Sequence, residues 1–373
     1  MAVILSMTKR EEEILGWIEE DPLISQQELA KRANITRSSV GVHISNLMKK
    51  GLIQGKGYIV NKEPYITVLG GVNIDIFGYP NKALISKDSN PGKVRSSLGG
   101  VGRNIAHCLK LLCQNVKLIT AFGEDSASQD IKKNCIDMSI DVTNSIVVQN
   151  GVTSTYMFIT NNDGEMELAI SDMEIYKNIT PSFISTKMEI INRSALCILD
   201  TNLPKETIEF IAKNCKCPIF VDTVSITKAE KIESVLDKIH TMKPNKNEAE
   251  YLTGIKIEDM STLKEAGNRL LDMGLKQVFI SLSEEGVYCT DGQSSGLIPA
   301  LSDKVVNTTG AGDSFMAAIA WAYRKNYSVI DMAYAGSACS AICVQSHETI
   351  SPQTSQDRVL ELIEQAKHKA SVF

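Results

Sequence analysis

Val306-Asn307-Thr308-Thr309-Gly310-Ala311-Gly312-Asp313-Ser314-Phe315 is the stretch on which the reading of this chain turns. Small residues run directly into a helical pattern bearing Phe315, Met316, Ile319 and Tyr323. The first backbone N–H groups of a helix lack intrahelical acceptors and lie at the positive end of its dipole, so such a turn binds anions. Asp313 stands on the same turn. A carboxylate there can accept a proton from a hydroxyl while the amides hold a transferring phosphoryl group. Taken alone, G-A-G-D favours an N-capping Asp on a glycine-rich turn, and the neighbouring stretches must decide.

Outward from it, apolar runs at Ile66–Leu69, Val116–Ala121, Ala195–Asp200, Pro218–Asp222, Thr241–Pro244 and Gln277–Leu282 alternate with helical patterns such as Lys205–Asn214 and Thr262–Met273. That alternation predicts an α/β fold with a doubly wound, mainly parallel sheet. Ligands of such sheets bind beyond the C-terminal ends of the strands. A second glycine-rich turn, Ser97-Leu98-Gly99-Gly100-Val101-Gly102-Arg103-Asn104-Ile105-Ala106, also opens a helix. It lacks the G-x-G-x-x-G order of a dinucleotide fingerprint. Stretches 76–96 and 152–171, the latter folded at Asn162-Asp163-Gly164, alternate like half-buried strands and are read as a small β lid. A lid would exclude water, the competing phosphoryl acceptor.

The chain has 373 residues, 43% apolar and 22% charged, and a net charge of −5. These values describe a folded protein and argue against one that coats nucleic acid with its whole surface. No apolar run is long enough to span a membrane, and 1–13 is too short for a signal peptide, so a cytoplasmic protein is expected. Nine scattered cysteines read as reduced thiols; Cys215 and Cys217 form a lone C-x-C without a second ligand pair. His107, His240 and His347 have no nucleophile partner in the sequence and read as ordinary core or surface residues.

Residues 1–60 hold eight Lys/Arg and seven Asp/Glu, a balance of +1 that leaves −6 for the rest. Pro64 marks a joint, with expected domains at 1–61 and 62–373. In the first, Thr8, a Ser25–Glu28 capping box and Thr36 each open a helix, and Gly51–Val60 reads as a hairpin. This segment resembles a winged helix-turn-helix, which implies that the helix from Thr36 enters the major groove of DNA. Arg37, Ser38, Ser39, Asn46, Lys49 and Lys56 are the candidate DNA contacts. The alternative is an accessory or dimerisation module with solvated charges, and the near-balanced charge leaves both open.

The two glycine-rich turns, Val72-Asn73-Ile74-Asp75, Asn245-Lys246-Asn247-Glu248 and Ser281-Leu282-Ser283-Glu284-Glu285-Gly286 together resemble, in order over residues 65–365, the signatures of the PfkB/ribokinase family of sugar and nucleoside kinases. Asp88–Lys93, Ser171-Asp172-Met173, Phe220-Val221-Asp222 and Ile239–Asn245 further resemble bacterial pseudouridine kinases. The resemblance implies ATP-dependent phosphorylation of the 5′-hydroxyl of pseudouridine, with Mg²⁺. It makes Asp313 the general base and Gly310, Ala311 and Gly312 the anion hole. Asn73, Asp75, Gly99, Gly100 and Asn104 would hold the sugar, and Ser89, Thr155 and Asp172 are candidates for reading the base. Thr308, Asn245, Glu248, Ser281, Ser283 and Gly286 would surround ATP, with Glu248 reaching Mg²⁺ through water. Asn307 replaces the Asp that most of the family carries, so a K⁺ site is expected to be weakened. Ser283 replaces a common Gly. A homodimer is expected, since winged helices pair on half-sites and lids in this family can pair. The alternatives left open are a kinase for another nucleoside or sugar, such as inosine, adenosine or ribose, and a nucleoside-sensing regulator.

Overall fold

The side chain of Thr8 accepts the N–H of Glu11, and Glu11 accepts the N–H of Thr8, so helix Lys9–Glu20 begins on a complete capping box. The computed structural model describes residues 7–55, 64–161, 166–302 and 304–371. Contacts divide the chain into two units, Met1–Pro64 and Tyr65–Phe373.

The first unit holds three helices, Lys9–Glu20, Gln26–Ala33 and Arg37–Lys49. Ile14, Ile18, Leu29, Val40, Ile44 and Leu47 meet in its core, as the helical spacing predicts. Ser25 caps the second helix, but no reciprocal bond forms there; Glu28 lies toward Arg32 at 3.8 Å instead. Of the expected hairpin, Tyr58-Ile59-Val60 and Lys56 lie outside the described residues.

In the second unit an eight-stranded sheet runs in the order Ser295–Ile298, Val287–Thr290, Gln277–Ser281, Thr241–Lys243, Ile219–Asp222, Leu196–Asp200, Tyr65–Leu69, Asn115–Ile119. Its last six strands are parallel and its first three pair antiparallel. The six predicted strands lie within two residues of those observed. The antiparallel pair Val287–Thr290 and Ser295–Ile298 was not legible, because it carries a short run with no helix between. Apolar clusters cover both faces. One gathers helices Val101–Leu111, Ala311–Arg324 and Val329–Val344 around Trp321 and Phe315; the other packs Ile208, Ile211, Leu263 and Leu270 on the opposite side. The fold is thus an α/β architecture with a mainly parallel sheet covered on both faces, as the alternation of strands and helices predicts.

A separate four-stranded sheet forms the lid, ordered Gly92–Gly99, Asn73–Pro80, Thr155–Thr160, Met166–Asp172. The turn expected at Asn162-Asp163-Gly164 lies outside the described residues. The lid and the main sheet meet at Asn73, just beyond strand Tyr65–Leu69, so the C-terminal edge of the main sheet faces the root of the lid.

Candidate active site

Helix Ala311–Arg324 starts after Gly310, whose φ of 83° is left-handed. A Cβ at Gly310 would lie 1.9 Å from the carbonyl oxygen of Thr349, so only glycine fits at this residue before the helix. Asp313 sits in the first turn and keeps an accessible edge. Burial, followed by the charge of Asp222, raises its pKa to about 7, against the opposing effects of Asn104 and Lys243. Asn104, in the first turn of Val101–Leu111, donates from Nδ2 to Asp313 Oδ2 at 2.8 Å. Arg103 contacts the other end of that amide, Nη1 to Oδ1 at 3.4 Å, and fixes its orientation. The two glycine-rich turns therefore meet at one carboxylate.

The strand ends supply charge. Asp200, Asp222, Lys243 and Ser281 are each the last residue of a parallel strand. Asp222 stands in register with both Asp200 and Lys243, and buried Lys243 pairs with it at 3.2 Å. Burial works against the charge on Lys243, but Asp222, Glu248 and Asp313 outweigh it and hold the ammonium above its ordinary pKa. Its Nζ lies 3.3 Å from the place a Cβ on Gly312 would occupy, directly beside the glycine-rich turn. Sequence reasoning quoted the stretches containing Asp222 and Lys243 without giving either residue a role. Their position at the C-terminal ends of parallel strands was the available signal.

Asn245 and Glu248 form the capping box of helix Lys246–Thr253: Asn245 Oδ1 accepts the Glu248 N–H at 2.9 Å, and Glu248 Oε2 the Asn245 N–H at 2.8 Å. Thr223 also donates to Glu248 Oε2. A cavity of about 360 Å³ opens here, lined by Val224, Ser225, Thr227, Asn245, Asn247 and Glu248. Val224 has φ 58°, a strained conformation for a β-branched residue, and its N–H bonds Asp222 Oδ1 at 3.0 Å. The surplus of carboxylates around one lysine fits a divalent cation arriving with a polyphosphate. Among the described residues no three His, Cys, Asp or Glu side chains are arranged to hold a metal unaided. Mg²⁺ would accordingly be held by phosphate oxygens and waters near Glu248.

On the sugar side, Asn73 donates to Asp75 at 2.5 Å, and burial raises the Asp75 pKa to about 6. A Cβ at Gly99 would lie 2.1 Å from Asp75 Oδ2, so glycine there makes room for the carboxylate. Gly100 has φ 100° and caps the Asn104 helix. The base-reading candidates do not assemble here. Register pairs Asp75 with Ser97 and with Tyr156, and Tyr156 with Ser171. Because neighbouring strand residues alternate faces, Thr155 and its partner Asp172 project from the side opposite Asp75. Asp172 instead accepts the N–H of Glu174 at 3.3 Å, closing a turn. Ser89 lies in the exposed connection between the first two lid strands.

Ser281 ends its strand. Ser283 adopts φ 56°, and Gly286, at φ 98°, would place a Cβ 2.0 Å from the carbonyl oxygen of Ile298. Thr308 is exposed, and its carbonyl accepts from Ala311 at 3.3 Å. Asn307 Oδ1 accepts the Thr309 N–H at 3.0 Å. His240 stacks on Phe220, and His107 is half-buried with its pKa lowered to about 4 by burial and then Arg103, so both are packing residues. In the first unit Arg37 and Lys49 are exposed, Asn46 is half-buried, and the Ser38 and Ser39 hydroxyls each lie 2.8 Å from Thr36 Oγ1.

Residues 63–356 match the model of the pfkB family of carbohydrate kinases, and 7–54 match a winged helix-turn-helix DNA-binding family. The chain belongs to the pfkB carbohydrate kinase family and carries an N-terminal winged helix-turn-helix segment. It is 37% identical over 360 residues to the Escherichia coli K12 protein called uncharacterized sugar kinase YeiI, covering 96% of this chain and 99% of that one. It is 33% identical over 310 residues to the pseudouridine kinase of the same organism, covering 83% and 99%. The Arabidopsis thaliana ribokinase structure, complexed with ribose and ATP, shares the fold at TM-score 0.73 and 22% identity, covering 81% and 99%. No helix among the described residues is long and apolar enough to cross a membrane.

Proposed function

We propose that the protein is a cytoplasmic kinase that transfers the γ-phosphoryl group of ATP to the 5′-hydroxyl of pseudouridine, giving pseudouridine 5′-phosphate and ADP. The observation that carries the transfer is the convergence of Asp313, the amides from Gly310 to Gly312 and the Lys243 ammonium on one turn. Asp313, poised near neutral pH, takes the hydroxyl proton as the oxygen attacks phosphorus. The helix amides and Lys243 hold the charge that spreads over the equatorial phosphoryl oxygens, and ADP departs. Mg²⁺ arriving with ATP, near Glu248, supplies charge neutralisation on the phosphates.

Asp75, with Asn73 holding it and Gly99 clearing space, accepts hydrogen bonds from the vicinal ribose hydroxyls. The substrate assignment rests on the sequence stretches shared with pseudouridine kinases and on the E. coli relative. Register supports Ser97, Tyr156 and Ser171, which lie on the Asp75 side of the lid, as the residues that read the base. The Ser97 hydroxyl is buried without a partner among the described residues, as a group awaiting a ligand would be. The side chain of Asn307 is neutral and its Oδ1 is already taken by the Thr309 N–H, which supports a transfer that does not depend on K⁺.

The test is ADP release from ATP and Mg²⁺ with pseudouridine, uridine, adenosine, inosine and ribose supplied separately. Preference for pseudouridine supports the reading. Turnover of another compound keeps the kinase and replaces the substrate, and nucleoside binding without turnover moves the protein to a sensor.

A second activity is supported by the N-terminal family match and by the solvent-facing Arg37 and Lys49 on helix Arg37–Lys49. We infer that this unit binds DNA and that the nucleoside modulates that binding. Retardation of operator DNA should fall steeply with salt and respond to pseudouridine; indifference to both refutes it.

A further inference from the structure

Among the nine cysteines, Cys108 approaches Cys339 and Cys215 approaches Cys217, with Cys197 bonding Cys215 from the core. Cys108 and Cys339 lie 3.5 Å apart, but both are sealed in the core. Cys215 and Cys217 lie 3.4 Å apart and are half-exposed. They follow helix Lys205–Asn214 and precede strand Ile219–Asp222, at the N-terminal end of that strand and thus at the opposite edge of the sheet from the catalytic turn. Cys215 is extended, φ −74° and ψ 136°, and the 3.4 Å approach of the two sulfurs brings both side chains to the same side of Lys216. Two residues of extended chain span at most roughly 6.6–7.2 Å, at the upper edge of the roughly 4.4–6.8 Å Cα separation that a disulfide bridges. The loop is held from both sides: Asn192 Oδ1 accepts the Lys216 N–H at 2.8 Å, and Cys217 Sγ contacts the Ile191 carbonyl at 3.4 Å.

We propose that Cys215 and Cys217 form an oxidisable dithiol, with Cys215 the sulfur that attacks peroxide first and Cys217 the resolving thiol. The Cys215 thiolate displaces hydroxide from hydrogen peroxide and becomes a sulfenic acid. The Cys217 sulfur then attacks the Cys215 sulfur, and the sulfenic oxygen leaves as water with the Cys217 proton. Two thiols and one peroxide thus give one disulfide and two waters.

The order of the two sulfurs follows from their surroundings. The thiols of fully buried Cys197 and of Cys217 donate toward Cys215 and hold it below the ordinary thiol range, while Cys217 is held above it, first by its bond to Cys215 and then by burial. Three sulfurs gather here, and among the described residues no three metal-ligand side chains are arranged to hold an ion. Cys113, exposed and without a neighbouring thiol of this kind, serves as an internal control.

The test treats the reduced full chain with an equivalent of hydrogen peroxide, blocks remaining thiols with iodoacetamide and digests with trypsin. Cleavage after Lys216 separates the two cysteines, so their fragments stay joined only if the disulfide exists. The expected result is joined fragments, released by dithiothreitol, forming about tenfold faster than Cys113 is oxidised. In Cys217→Ser, dimedone should label Cys215. Carbamidomethylated Cys215 and Cys217 beside oxidised Cys113, or a disulfide joining two chains, would overturn the assignment.

Discussion

The side-chain amide of Asn104 donates a 2.8 Å hydrogen bond to Asp313 Oδ2, linking the first turns of two helices whose residues lie 209 positions apart. The bond favours the ionised carboxylate and opposes the burial that raises its pKa to about 7. A base must be deprotonated to act, so kcat/KM should rise with pH through about 7. In Asn104→Ala that limb should move to higher pH, and kcat/KM should fall about tenfold to a hundredfold, since a hydrogen bond to a charged group is worth about 1.5–3 kcal/mol. A pH–rate profile of each protein reads both effects. An unmoved limb would assign it to another group.

Asp313→Asn removes the base but keeps the shape of the turn. Its kcat should fall by about two to four orders of magnitude, with nucleoside affinity within a few-fold of the parent, because the proton is transferred only in the chemical step. Single-turnover kinetics beside calorimetric binding separates the two quantities.

Lys243 and Asp222 are a buried pair, so removing one partner strands the other. Lys243→Met should destabilise the fold by about 3–5 kcal/mol and weaken ATP turnover. Adding Asp222→Asn should recover much of the stability without recovering activity. Denaturant melts of the single and double variants, read beside ADP release, distinguish a phosphate-binding lysine from a structural one.

Ser283 occupies a left-handed conformation, φ 56°, that costs a non-glycine residue about 1–2 kcal/mol. Glycine recovers that strain but loses about 0.5–1 kcal/mol to its greater freedom in the unfolded chain. Ser283→Gly should therefore raise stability by about 0.5–1 kcal/mol, read as a higher denaturant midpoint at constant slope. A fall would mean that the serine side chain makes a stabilising contact.

Val94, Leu168 and Ile170 are 75%, 58% and 55% exposed, and their register sets them on the lid face away from Asp75. Such an apolar face would be covered in the homodimer expected from the sequence. Ile170→Asp should convert a dimer to a monomer in light scattering while leaving the thermal midpoint of the folded chain nearly unchanged. A monomeric parent would refute lid pairing directly.

The parallel strands and the helix opened by Gly310 were legible because their signals are local. Apolar runs of a few residues specify strands, and 3.6-residue spacing at Phe315, Met316 and Ile319 specifies a buried helix face. The same holds for the Asn245–Glu248 capping box, whose spacing of three is written in the chain. Thr155 and Asp172 could not be sorted in this way. Each sits in a strand whose alternation was visible, but which parity faces the sugar depends on pairing with Asp75, a partner 80 or more residues distant.

What the sequence by itself determined was therefore the architecture and the glycine-rich helix start that carries Asp313, since these depend on patterns within one helix or one strand. Tertiary structure alone decided that Lys243 lies beside Gly312, that Asn104 holds Asp313, and that Ser97 and Tyr156 share the face of Asp75. Those relationships arise where strand ends from distant parts of the chain are brought side by side, and a charge's surroundings, not its residue type, set what it does.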